Sequence, residues 1–432
     1  MKTLLRRSST VVAVLFLLFL PTLAHAADAI DKADTTWMLI STALVLLMVP
    51  GLAFFYGGMV RSKNVLSTIM HSLVAMGLIT IQWVVVGYTL AFGPDVGHVV
   101  GNLQHLFLNG VGMEPKGSIP ALLFMAYQGM FAIITPALIS GAVAERMKFS
   151  TYCVFMLVWA TVIYDPIAHW VWGPGGWLGA IGALDFAGGT VVHLSSGISA
   201  LVAAMVVGRR LGHPTEQMLP NNLGFTVLGA GLLWFGWFGF NAGSALSTGT
   251  LATLAFVNTF IAPGAAAISW MLLEWYHSRT PSTLGVASGI VAGLVVITPA
   301  AGFVTPMGAL VMGLIGGAVC YLGVLLKRVG GYDDSLDAFG VHGIGGATGA
   351  LLTGVFASTV FNPGGTAGLL EGNVAALWPQ VAGVVATALY AGVGTFVIVK
   401  VLGWTMGLRV PDEDERMGLD ITQHGEQAYR LH

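Results

Sequence analysis

The sequence predicts an all-α integral membrane protein of eleven transmembrane helices, with an inverted five-plus-five repeat and a long final helix. Three observations carry this expectation. Of 432 residues, 56% are hydrophobic and 9% charged, against about a quarter charged in soluble domains, so the chain cannot cover a water-facing surface. Apolar stretches of about twenty residues, the length that crosses a bilayer, recur along it. Lys and Arg fall in alternate connecting loops, which is the bias of cytoplasmic loops.

The chain starts with a secretory signal pattern over residues 1–26. Basic Lys2, Arg6 and Arg7 precede an apolar core from Val11 to Leu20 and the small-residue end Ala24-His25-Ala26. Reading this as a twelfth span is the weaker choice, because the core is short and the polar stretch Asp28 to Thr35 follows at once. The mature chain then begins near Ala27 on the outside. A transmembrane domain is expected over 27–406 and a polar tail over 407–432. The spans are expected near 37–58, 66–92, 120–143, 150–168, 186–207, 222–242, 251–274, 283–302, 306–326, 338–358 and 375–406.

From an outside start, the inner loops receive Arg61 and Lys63, Arg146 and Lys148, Arg209 and Arg210, Arg279, and Lys327 and Arg328. The outer loops receive only Lys116. A missed or invented helix would invert the alternation beyond it, so the unbroken pattern supports eleven spans and an inside C-terminus. The 59 glycines are spread along the apolar runs, as in membrane helices whose backbones approach closely. The two cysteines, Cys153 and Cys320, lie inside apolar spans and read as small buried hydrophobes rather than a disulfide or a thiolate site. A net charge of −2 with dispersed basic residues points away from nucleic acid.

An internal repeat shows at polar positions. Asp185 precedes His193 by eight residues at the start of span five, and Asp334 precedes His342 by eight at the start of span ten. Halves offset by five crossings have opposite orientations, so the duplication is expected to be inverted about an axis in the membrane plane. Spans one and six share an aromatic-glycine ending, Phe54-Phe55-Tyr56-Gly57-Gly58 against Trp237-Phe238-Gly239-Phe240-Asn241. Span eleven falls outside the repeat and, being longest, is expected to tilt across the bundle.

The axis would bring His193 and His342 together near the midplane. A lone intramembrane histidine is often a hydrogen-bonded strut between helices, but a pair at repeat-equivalent positions points to function. A metal site is not expected, since no Cys, Glu or further His lies nearby to complete three or four ligands. An apolar wall disfavours the charged ring, so both imidazoles are expected to be mainly neutral, able to donate and accept. Such a pair suits a small neutral amine or a relayed proton, while an isolated ion meets a cost of many kcal/mol. No nucleophile–base constellation suggests an enzyme, and no cofactor is expected.

The segments ITPALISGAVAERMKF (134–149), FAGGTVVHLSSG (186–197), WFGWFGFNAGSA (234–245), FGVHGIGG (339–346) and GLRVPDEDERMGLD (407–420) resemble the bacterial ammonium transporters of the Amt/Mep/Rh family, in order along the whole mature chain. The resemblance implies a homotrimer with one pore per subunit in the cell inner membrane, carrying ammonium or ammonia. It implies twin pore histidines at His193 and His342 and an outer recruitment site at Phe131, Trp172 and Ser244. Cation–π attraction and a hydroxyl acceptor suit ammonium there. Taken singly, Trp172 reads as an interfacial belt aromatic, Phe131 as helix packing and Ser244 as a local backbone bond. It also implies a gate of Phe131 and Phe240, with Trp237 beside it. Asp185 is expected to support the site by capping the start of span five. Tyr127 stands where the family often has phenylalanine, which is expected to alter the polarity of the rim. A charged tail is commonly disordered. Its match to the family implies instead an ordered element that couples to a PII-type nitrogen regulatory protein.

Overall fold

The computed structural model describes residues 30–429, so the expected signal segment 1–26 lies outside the described residues. Among those described, eleven apolar helices follow one another: α1 Lys32–Met59, α2 Val65–Phe92, α3 Ala121–Val143, α4 Phe149–Ala180 (broken after Trp172), α5 Gly189–Val207, α6 Leu223–Ala245, α7 Thr250–Ser278, α8 Thr283–Ile297, α9 Pro306–Gly330, α10 Phe339–Phe356 and α11 Val374–Thr405. Each expected span has its counterpart, and the differences have local causes. α8 stops at Ile297, shorter than expected, because Pro299 has no N–H to continue the ladder. Its carbonyl instead accepts the Phe186 N–H at 3.0 Å and ties down the chain ahead of α5. α9 runs on to Gly330, where Gly331 at φ 65° ends it in the left-handed conformation.

Among the described residues, four stretches wind as wider π turns: Trp83–Gly87 in α2, Ala160–Tyr164 in α4, Gly189–Leu194 opening α5 and Phe339–Gly343 opening α10. The last two carry His193 and His342. Spans that are apolar all round give no stripe whose phase would reveal such an inserted residue.

The inverted repeat is built on a reciprocal crossing. Gly197 lies four residues beyond His193, and Gly346 four beyond His342. A Cβ at Gly197 would stand 2.0 Å from the Gly343 nitrogen, and one at Gly346 would stand 2.6 Å from the Gly189 carbonyl oxygen. Each half thus omits a side chain where the backbone of the other passes. α1 packs along α6, its repeat mate, and α11 lies across α4, α5 and α10.

At one end of the bundle the basic loops converge on buried acids. Arg210 reaches Glu145 at 2.7 Å and Asp333 at 2.8 Å, and Arg61 reaches Glu145 at 3.1 Å. Glu145 takes φ 72°, a conformation uncommon for this residue, and its carboxylate is held by both guanidiniums. The tail folds onto this end in two short helices, α12 Asp412–Met417 and α13 Leu419–His424. Lys148 N–H donates to the Leu408 carbonyl and Val410 N–H to the Arg146 carbonyl. Asp420 accepts the Ser67 N–H at 2.8 Å, capping α2 from a distant part of the chain.

Candidate functional site

Opposite the basic end, a pocket of about 180 Å³ is walled by Phe92, Phe124, Phe131, Trp172, Phe186 and Leu246, with Gln128 and Ser244 as its polar members. Trp172 closes the helical part of α4, and its Nε1 donates to the Asp185 carbonyl at 2.9 Å, which fixes the indole. Its ring stands perpendicular to Phe131, centroids 5.8 Å apart. Ser244, in the turn that ends α6, donates to the Phe240 carbonyl at 2.9 Å and keeps oxygen lone pairs free to accept. The three residues expected at the outer site therefore share one pocket.

The Tyr127 ring is fully buried, and its hydroxyl lies 2.8 Å from the Phe240 carbonyl, 2.9 Å from that of Gly239 and 3.3 Å from Ser244 Oγ, so it braces α3 against α6 and places a hydroxyl beside the Ser244 member of the pocket. Gln128 went unrecognised in the sequence. Its Oε1 is buried and has no donor among the described residues. The signal was available, since it lies three residues before Phe131 and so shares its helix face.

Beneath the pocket, Phe131 and Phe240 stack at 4.2 Å and 29°. Beyond them lies a passage of about 10 Å³ lined by Met48, Leu52, Ile134, Leu138, Leu233, Trp237 and the two histidines, at the lower limit for a single water. His193 Nδ1 and His342 Nδ1 are 3.2 Å apart, with ring centroids at 5.3 Å and planes at 22°. Sharing one hydrogen between like nitrogens makes the rings opposite tautomers, one Nδ1–H and one Nε2–H. Trp237 stacks on His193 at 5.3 Å and 23°. The indole is held in turn by Nε1 donation to Thr298 Oγ1 at 2.8 Å, a contact that no sequence signal announced. His193 Nε2 has no partner among the described residues.

Asp185 stands outside both spaces. Its carboxylate accepts the N–H groups of Gly188, Gly189, Thr190 and Val191 and the Thr190 hydroxyl. It organises the π turn below it and holds Trp172 through its own carbonyl. Asp334 does the same in the other half, accepting from Ala338 at 3.1 Å and Phe339 at 2.7 Å. Among the described residues, no group of three or more His, Cys, Asp or Glu is arranged to hold a metal ion.

The sequence profile of the Ammonium Transporter Family matches residues 36–429. An ammonium transporter of Bacillus subtilis is 51% identical over 404 residues, covering 93% of this chain and 99% of the relative. One from Aquifex aeolicus is 50% identical over 94% of this chain and 96% of its own. Among solved structures, Candida albicans Mep2 superposes with a TM-score of 0.85 at 35% identity, covering 89% of this chain and 88% of that one. A protein described as a sensor Amt protein gives 0.85 at 29% identity, covering 91% and 98%.

Proposed function

Because the chain belongs to the ammonium transporter family, we propose that it recruits ammonium at Phe131, Trp172 and Ser244, that the ion loses its proton below that site, past the Phe131–Phe240 gate beside Trp237, and that ammonia passes along His193 and His342. The observation that carries this reading is the imidazole pair at 3.2 Å in a passage with carbon walls. Ammonium in the pocket meets ring faces and acceptor oxygens, which suit a cation. Below the stacked rings a cation would find no fixed counter-charge, and an isolated ion in such a medium costs many kcal/mol. Ammonia can exchange hydrogen bonds with both tautomers, whereas potassium has no proton to shed.

The reading extends to topology and assembly. The protein sits in the cell inner membrane, with its N-terminus outside after signal cleavage and its tail in the cytoplasm. It works as a homotrimer with one pore per subunit. The basic end meets a PII-type nitrogen regulatory protein. Support for the last comes from the ordered tail and from a cavity of about 550 Å³ beside it, lined in part by Arg209, Arg328, Lys327 and Glu216.

The test uses the purified chain in proteoliposomes on a solid-supported membrane, challenged with an ammonium jump. A current or uptake that excludes potassium is expected, together with its loss or altered selectivity in His342→Ala. Unchanged flux and unchanged discrimination against potassium in that variant would remove the histidine step. Absence of any uptake by the wild-type chain would leave a sensor role in its place.

A further inference from the structure

Lys116, the one basic residue expected in the outer loops, is seated among aromatic rings. Its Nζ lies 4.1 Å from the centroid of Phe124, 5.5 Å from Phe92 and 5.8 Å from Tyr88, with the Tyr88 hydroxyl at 3.5 Å. Three ring faces around an ammonium group make a cation cage of the kind that binds alkylammonium ligands. Among the described residues no carboxylate pairs with it, so the rings supply the negative potential it meets.

The placement is built into the chain. Lys116 belongs to a short hairpin, paired with Ile119 across Gly117 at φ 62°. That hairpin is tied to the start of α1, where the Asp31 N–H donates to the Ser118 carbonyl and the Ser118 hydroxyl donates to Asp34. Phe92 and Phe124 serve two spaces, since the same rings wall the outer pocket that contains Trp172 and Ser244. A fixed primary ammonium therefore stands one ring away from the proposed ammonium site.

We infer that Tyr88, Phe92 and Phe124 form a second cation cage at the edge of the vestibule, that its resident ligand is the Lys116 side chain, and that this tethered charge weakens capture of ammonium in the adjoining pocket. This rests on the reading of that pocket as the capture site. A like charge about one ring away, in the effective dielectric of a protein surface and screened by physiological salt, lowers cation affinity by roughly three- to tenfold. The lysine also keeps a second free cation out of the cage, so the vestibule takes one ammonium at a time.

The experiment compares the ammonium concentration giving half-maximal current for the wild type, Lys116→Met, Lys116→Arg and Ser244→Ala in proteoliposomes. Methionine keeps the packing stem and drops the charge, and arginine keeps the charge. A fall of about three- to tenfold in Lys116→Met, with Lys116→Arg within about twofold of wild type, is expected. An unchanged or raised value in Lys116→Met, or equal values for the two lysine variants, would overturn the inference. Ser244→Ala separates the two failures. A raised value there beside an unchanged Lys116→Met sinks only the role of Lys116. An unchanged Ser244→Ala removes the capture site, and this inference with it.

Discussion

Around His193 and His342 the walls are Met, Leu, Ile and aromatic carbon, and the two imidazoles meet through their own ring nitrogens, Nδ1 to Nδ1. Around Arg210, at the basic end, Glu145 and Asp333 are as deeply buried, each 1% exposed, yet they carry full charges. Both regions belong to one bundle of apolar helices. They differ in whether a fixed opposite charge stands within 3 Å, as it does for Arg210 and nowhere around the histidines. The fold accepts buried ions where it supplies the partner, and under the proposed mechanism a passage that supplies none would select against any permeant that stays charged.

Breaking the ionic region should have the largest effect. Arg210→Ala leaves Glu145 and Asp333 buried and repelling each other, and a loss of roughly 3–5 kcal/mol is expected, read as a collapse of the thermal transition in detergent. A wild-type transition would mean that these pairs do not hold the loops. Erasing the contrast from the other side, His342→Asp puts a fixed carboxylate in the passage. Potassium flux, which the proposed mechanism excludes from the wild type, should then appear. The neutral His342→Leu should lower methylammonium uptake about tenfold or more, about 1.4 kcal/mol of barrier, without admitting potassium. Potassium exclusion intact in His342→Asp would refute the link between counter-charge and selectivity.

Acid should weaken the ionic region. Burial alone would raise the Glu145 carboxyl, but the Arg210 and Arg61 guanidiniums beside it more than offset this and hold it at about 2, below the ordinary 4.5. A lowered folded value gives a stabilisation that is complete above pH 4.5 and lost as pH falls toward 2. The difference in melting temperature between wild type and Glu145→Gln should therefore be constant above about pH 5 and shrink below it, and a difference that persists unchanged to pH 3 would contradict the assignment. The smallest effect sharpens the histidine side. Thr298→Val leaves the buried Trp237 Nε1 without its acceptor, at a cost of about 1–2 kcal/mol, and should loosen the indole stacked on His193. A shifted tryptophan emission with reduced flux is expected, and unaltered flux would show that the stack does not orient His193.

Much of this was legible in the chain. Span positions followed from the lengths of apolar runs, and the residues around Arg61, Arg146 and Arg210 gathered at one end as their loop alternation required. The Asp–x₇–His spacing announced the repeat, and the family-like segments contain Ser244, His193, His342 and Phe240, with Phe131 three residues ahead of one of them. The π turns, the Trp237–Thr298 bond and the bracing role of Tyr127 were not legible. Each depends on which face a residue presents to a helix distant in sequence, and an all-apolar span carries no stripe from which to read that face.

By itself, the sequence determined that this protein lives in a bilayer, how many times it crosses, and that its halves oppose each other. Those outcomes follow from each segment's own preference for oil or water and from the loop positions of its basic residues. Only the tertiary structure decided that two imidazoles 149 residues apart share a hydrogen at 3.2 Å, because that distance depends on Gly197 and Gly346 letting the two backbones cross. It likewise decided that the lysine of an outer loop comes to rest on the rings that wall the pocket. Hydropathy is additive along a chain and can be summed from letters, whereas contact between distant side chains exists only after the packing that brings them together.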